Sequence, residues 1–135
     1  MSLWVIFRAP LFFGGDLSVP SALHPATRAL ITNNETLAVQ RDARNSRQVY
    51  ADNSTRVWSA VDAKRPSTAR FVAAFNLDAQ GTRNIKVDFA TLGLLATARC
   101  RVRDLWGRSD LGVFTGGFEA SAGGHCGPLF EVVVV

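Results

Sequence analysis

Cysteine is scarce in this 135-residue chain, with Cys100 and Cys126 the only two. Their spacing fits no zinc or CxxC pattern, which leaves a bridge across two strands or a pair of buried free thiols. Long hydrophobic runs are missing too. The opening MSLWVIFRAPLFF is broken by Arg8 and Pro10. It is too short to span a bilayer, and it lacks the basic leader and small-residue cleavage site of a signal peptide. No membrane partner and no targeting signal is legible, so localisation stays open. There is no block of like charge: basic residues alternate with acidic ones, which argues against the continuous basic patch that a nucleic acid requires. A Gly-rich phosphate loop and a metal-ligand cluster are both wanting, so the residues imply neither a cofactor nor a metal site.

What is present suits a folded domain. Hydrophobic residues make up 47% and charged residues 19% of a chain long enough to bury a core. The net charge of +4 is carried by thirteen arginines and two lysines. That bias has two readings, phosphate recognition or a genome rich in arginine codons.

Two textures divide the chain. In residues 1–45, Leu3 to Phe7 is continuously apolar, and Pro10 ends whatever precedes it. Leu11, Phe12 and Phe13 form a short run closed by Gly14, Gly15 and Asp16, as expected of a strand buried on both faces. Pro25 suits a helix start, and Asn33 or Asn34 can cap a second helix containing Glu35, Leu37 and Val39. Residues 41–47 are polar and read as a linker. From about residue 48 the period becomes two. Phe71, Ala73, Phe75 and Leu77 alternate, a turn follows at residues 78–81, and Ile85, Val87 and Phe89 alternate after it, which predicts a hairpin. Cys100 and Val102 alternate with Arg99, Arg101 and Arg103; a turn at residues 107–110 leads into Leu111, Val113 and Phe114. Phe130 to Val135, apolar but for Glu131, reads as a terminal strand. The fold class expected is mainly β: an antiparallel beta-sandwich of about eight strands in residues 46–135, preceded by a short α/β segment in residues 1–45.

Candidates for chemistry are few. His24 lies beside Pro25, and His125 adjoins Cys126, but neighbours on a strand point to opposite faces and cannot act together without an unusual turn. Asp104 and Asp110 flank a turn, where hydrogen bonding and pairing with Arg103 and Arg108 are their expected work. Asp16 follows the doubly buried run and is the candidate substrate-binding residue, because barrel strands carry active-site groups at their C-terminal ends. Asn34 and Asn53 head Asn-x-Thr sequons. Trp58 and Trp106 either stack on sugar rings or fill the core.

Taken together and in order, LWVIFRAPLFFGGDL, TRALITNNETLAVQRD, VWSA, FVAAFNL and RVRDLWGRSDLG resemble the alpha-galactosidases of glycoside hydrolase family 27, the melibiase-type enzymes. The resemblance is collinear over nearly the whole chain and implies the C-terminal part of such an enzyme. It makes Leu3 to Ala9 the end of a helix, Leu11 to Gly14 the last strand of a (β/α)8 barrel, residues 25–41 the last barrel helices, and residues from about 48 onward the C-terminal sandwich. These enzymes are retaining glycosidases whose two catalytic aspartates stand about 5 Å apart across the scissile bond. The resemblance places that pair on earlier barrel strands, so it assigns no catalytic residue here; Asp16 matches a position near the site but outside the pair.

The expected role is therefore non-catalytic and supporting. One barrel strand without its neighbours exposes Phe12, Phe13 and unpaired backbone, so residues 1–45 are expected to pack on the sandwich, self-associate, or join a polypeptide carrying the rest of the barrel. The alternatives are an independent carbohydrate-binding sandwich module and a subunit completed by that other polypeptide.

Overall fold

The computed structural model describes residues 1–15, 18 and 23–135. Among these residues three short helices come first: α1 (Ser2–Ile6), α2 (Pro25–Ile31) and α3 (Asn34–Asp42). Eight strands follow: β1 (Ala43–Ala51), β2 (Thr55–Asp62), β3 (Ala69–Asn76), β4 (Arg83–Asp88), β5 (Arg99–Asp104), β6 (Ser109–Thr115), β7 (Gly117–Ala122) and β8 (Leu129–Val134). A 3-10 turn covers Phe89–Leu92. Every pairing is antiparallel. Six strands form one sheet in the order β1-β2-β3-β8-β5-β6, and β4 pairs with β7 in a second. The mainly β sandwich expected from the alternating pattern is the fold observed.

Two hydrophobic cores lie on opposite faces of the large sheet. On the inner face Val57, Val72, Val102, Phe130 and Val132 meet Ile85, Val87 and Phe118 from the small sheet, with Phe89 closing one end. The outer face presents Ala60, Phe71, Ala73 and Leu129 to Val5 and Ile6 of α1 and Val39 of α3. The molecule is thus layered as helices, large sheet and small sheet. This explains why seven of the eight residues of β3 are buried whatever their parity: a central strand covered on both faces carries apolar groups on both.

Helix ends follow local chemistry. Pro25 opens α2, where a missing N–H costs nothing. Asn33 caps α3 by accepting from the amides of Glu35 (3.0 Å) and Thr36 (3.4 Å). α1 ends at Ile6, three residues short of the Ala9 implied by the resemblance. Arg8 turns left-handed at φ 57°, its N–H donates to Val5 and that of Ala9 donates to Trp4, which closes the helix in a Schellman motif ahead of Pro10.

Three further expectations are corrected. Leu11 to Gly14 is irregular rather than a strand, with Phe12 91% exposed; a lone strand without a ladder partner has nothing to hold it extended. Residues 41–47 are no linker, because α3 runs to Asp42 and β1 begins at Ala43, paired with Asp62. β1 is polar because it is an edge strand with irregular register and mostly exposed side chains, and Asn45 sits at φ 53°. The expected β3–β4 hairpin is instead a crossover between sheets. Both edges of β3 are taken, by β2 and β8, so β4 finds its ladder on β7. The Asn76 amide ties the crossover down by donating to Ala122 O at 3.1 Å.

Candidate functional site

The stretch from Cys100 to Gly112 is the hinge between the sandwich and the helical layer. Cys100 and Val102 of β5 are fully buried in the inner core, while Arg99 and Arg101 are exposed. Arg103, on the outer face, is different: its Nε and Nη2 donate to the Glu35 carboxylate of α3 at 2.8 Å each, and Nη2 also donates to Arg108 O at 2.9 Å. Arg103 reaches Asp110 as well, at 3.4 Å. The Arg103 hydrogen bonds hold Glu35 below the ordinary carboxylate range against the opposing effect of burial.

Beyond β5 the chain turns on Asp104, whose carboxylate accepts from the amides of Trp106 (2.9 Å) and Gly107 (3.1 Å). That turn presents Leu105 and Trp106 to the helical layer. Leu105 O accepts from the Asn33 side chain at 2.8 Å, and Trp106 Nε1 donates to the Ser2 hydroxyl at 2.8 Å. Ser2 in turn donates to Gly127 O. Trp58 packs against Phe7 with ring centroids 4.3 Å apart. Both tryptophans proposed as sugar platforms are therefore half-buried and engaged by α1 and the residues just after it. Leu111 and Val113, expected to resume the apolar core, are exposed on the edge strand β6.

Other candidates are spread across the fold. Asp16 lies outside the described residues. His24 caps α2, its Nδ1 accepting from Ala26 N at 3.3 Å. His125 adopts the left-handed turn conformation (φ 52°) beside Cys126, and its amide donates to Asp78 O. Both thiols are free, Cys100 buried and Cys126 exposed. Asn34 is the first residue of α3 and Asn53 lies in the β1–β2 turn. Among the described residues no three His, Cys, Asp or Glu side chains gather to hold a metal ion, and no helix is long and apolar enough to cross a membrane.

Sequence reasoning singled out Asn33 or Asn34, Arg103 and Trp106 but missed Glu35 as the partner of Arg103 and Ser2 as that of Trp106. It also missed Arg65, which from the β2–β3 turn joins Asp62 at the end of β2 to Glu131 of β8. These partners are distant in sequence, and only the layering of helices on the outer face brings them together.

The surface that the helical layer turns away from the sandwich is apolar. Trp4, Pro10, Phe12, Phe13 and Leu30 line an open cleft of about 530 Å³, and Trp4 is 61% exposed.

Comparison with known proteins gives this arrangement a family. Residues 52–129 match the alpha galactosidase C-terminal beta sandwich domain. Alpha-galactosidase 3 of Arabidopsis thaliana is 30% identical over 130 residues, which cover 92% of this chain and 28% of that protein. The alpha-galactosidase of Coffea arabica is 29% identical over 134 residues, covering 96% and 33%. Among solved structures, a family 27 β-L-arabinopyranosidase from Geobacillus stearothermophilus superposes with a TM-score of 0.86 at 34% identity, over 98% of this chain and 28% of that one. The chain spans about a third or less of the length of these relatives and corresponds to their C-terminal part. With the sandwich model covering more than half of its residues, the chain belongs to the alpha-galactosidase C-terminal beta-sandwich family.

Proposed function

We propose that this chain is the non-catalytic C-terminal part of an alpha-galactosidase-like retaining glycoside hydrolase, and that its sandwich serves to buttress the catalytic barrel. The observation that carries this reading is the helical layer. Its inner side is keyed into the sandwich through Ser2–Trp106, Asn33–Leu105 and Glu35–Arg103. Its outer side leaves Trp4 and Phe12 exposed, as a surface continued by further barrel would be. Residues 1–45 form the remnant of that barrel and residues 46–135 the supporting domain. The same apolar side is where the chain would meet a barrel polypeptide or a second copy of itself.

The names of similar structures support a supporting role. The fold is shared by solved enzymes named alpha-galactosidase and β-L-arabinopyranosidase. Enzymes named for different sugars keep one sandwich, so substrate choice is expected to reside elsewhere. Catalysis by the two-carboxylate mechanism needs a pair about 5 Å apart on facing barrel strands, and we assign no residue of this chain to that pair. Asp16 is kept as a residue near, not in, the reacting centre. The carbohydrate-module alternative needs free aromatic platforms, whereas Trp58 and Trp106 are held by Phe7 and Ser2.

The purified chain is expected to release no product from aryl α-galactosides, and its tryptophan fluorescence should not move on titration with galactose. Hydrolysis by the isolated chain would overturn the reading. A saturable fluorescence change would favour the carbohydrate-binding module.

A further inference from the structure

Arg70 is set apart from the other arginines by its burial. Arg41, Arg65, Arg83 and Arg103 each meet a carboxylate. Arg70 is only 8% exposed, yet among the described residues no carboxylate lies within 4.0 Å of its guanidinium. Burying a guanidinium without a counter-charge is costly, and backbone dipoles bear that cost here. Arg70 shares the inner face of β3 with Val72. Its Nε donates to Leu92 O at 2.9 Å, and Nη1 donates to Pro66 O and Ala69 O at 2.8 Å each. Nη2 reaches Gly93 O only at 3.4 Å. Five N–H groups facing four carbonyls leave a donor unused.

A second cation is brought to the same place. Arg47 of β1 pairs in register with Ser59 of β2. The Nη2 atoms of Arg47 and Arg70 lie 3.9 and 4.0 Å from the point where a Cβ on Gly93 would stand. Gly93 carries no side chain there and holds φ at 75°. The two guanidinium groups face a cavity of about 240 Å³ that is also lined by Asn45, Ser59 and Leu92. Ser59 is 4% exposed, and its hydroxyl has no protein partner among the described residues. Burial and the like charge of Arg47 together hold Arg70 below the ordinary guanidinium range.

We propose that the Arg47–Arg70 cavity is a binding site for a small oxyanion: a phosphate, sulfate or carboxylate group, free or carried on a sugar. Arg70, fixed by its carbonyls, is the floor of the site. Arg47, exposed on the edge strand, is its clamp. Ser59 and Asn45 supply neutral donors. A bound anion cancels the repulsion between the two cations and accepts charge-assisted hydrogen bonds in the forked geometry that guanidinium groups favour. This site lies on the inner face, away from the apolar cleft, and stands independently of the supporting role proposed above.

The test uses the full chain and inorganic phosphate, at constant ionic strength with chloride as the reference anion. Phosphate should raise the thermal midpoint of the wild type and, by calorimetry, bind at one site. Arg47→Ala should weaken that binding about tenfold, the loss of one charge-assisted contact. Arg101→Ala, which removes an equal charge from an exposed position, should leave it unchanged. In phosphate-free buffer Arg47→Ala should unfold at the wild-type temperature or higher, because a repulsion is relieved; a purely structural arginine would lower it. Galactose 6-phosphate, run in parallel, separates the sources. Tighter binding than phosphate assigns an anion carried on a sugar, and equal or weaker binding assigns a free anion. An equal phosphate response in Arg47→Ala and wild type, or no response beyond chloride, overturns the proposal.

Discussion

Arg103 and Glu35 meet as a bidentate pair, both contacts at 2.8 Å, and so join strand β5 to the first turn of α3 across 68 residues of sequence. Glu35 also sits where the α3 dipole favours an anion. The side chains are 26% and 31% exposed, so the pair belongs toward the weaker, solvent-screened end of such interactions. Its signature is therefore its pH dependence more than its size.

Glu35 titrates lower in the folded chain than in the unfolded one. A carboxylate depressed on folding contributes stability that is complete above its unfolded pKa of about 4.3 and is lost as pH falls through the lower folded value. Glu35→Gln is thus expected to unfold at lower urea than wild type at pH 7, with the gap closing below about pH 4. Urea midpoints at pH 7, 5 and 3 measure this. A gap of constant size would mean that the ion pair adds nothing.

Asn33 is expected to matter more, because one buried side chain does two jobs. Its oxygen caps α3 and its amide nitrogen satisfies Leu105 O. Asn33→Ala removes the cap, about 1 kcal/mol, and orphans a buried carbonyl, about 1–2 kcal/mol more, for a loss of roughly 2–3 kcal/mol by chemical denaturation. Asn33→Asp should not rescue it: the cap acceptor survives, but an oxygen replaces the donor facing Leu105 O. Recovery of wild-type stability in Asn33→Asp would show that only the cap counts.

Much of this architecture was legible before any coordinates, and the failures share a cause. Alternation at Cys100–Asp104 and Ile85–Val87 identified strands because one face is buried and the other is wet. Pro25 and the Asn33–Asn34 pair marked helix starts because their chemistry is local, and Asn33 is the one that caps. The β3–β4 hairpin misled because a short polar turn says nothing about whether the flanking edges are already occupied, and β2 and β8 occupy those of β3. The polar strand β1 was mistaken for a linker because an edge strand with irregular register buries little side chain. Leu111 and Val113 carried a core pattern without a core: both lie exposed on the edge strand β6. The Arg47–Arg70 convergence had no local signature at all: it depends on β1, β3 and the Phe89–Leu92 turn meeting at one end of the sandwich.

The two thiols, expected either to bridge or to be buried and free, are free with only Cys100 buried, and they give the sharpest chemical test of the layering. Cys100 is fully buried on β5, which is flanked by β8 and β6, and burial pushes its thiol pKa up. Cys126 is exposed in the loop before β8. The thiolate is the reacting species, so Cys100 is protected twice, by access and by ionisation. Treatment of the native chain with a disulfide reagent such as Ellman's should modify one thiol per chain promptly and the second only at the rate at which β5 opens. In guanidinium both should react together. Cys126→Ser should abolish the prompt phase with a stability change within about 0.5 kcal/mol, as for most surface substitutions. Cys100→Ser, which places a hydroxyl in an apolar core, should cost about 1–3 kcal/mol. Prompt reaction of both thiols in the native chain would mean that the inner core around Cys100 is open to solvent. Reaction of neither until reductant is added would mean that the two are bridged, which requires the Cys126 loop to leave its exposed position.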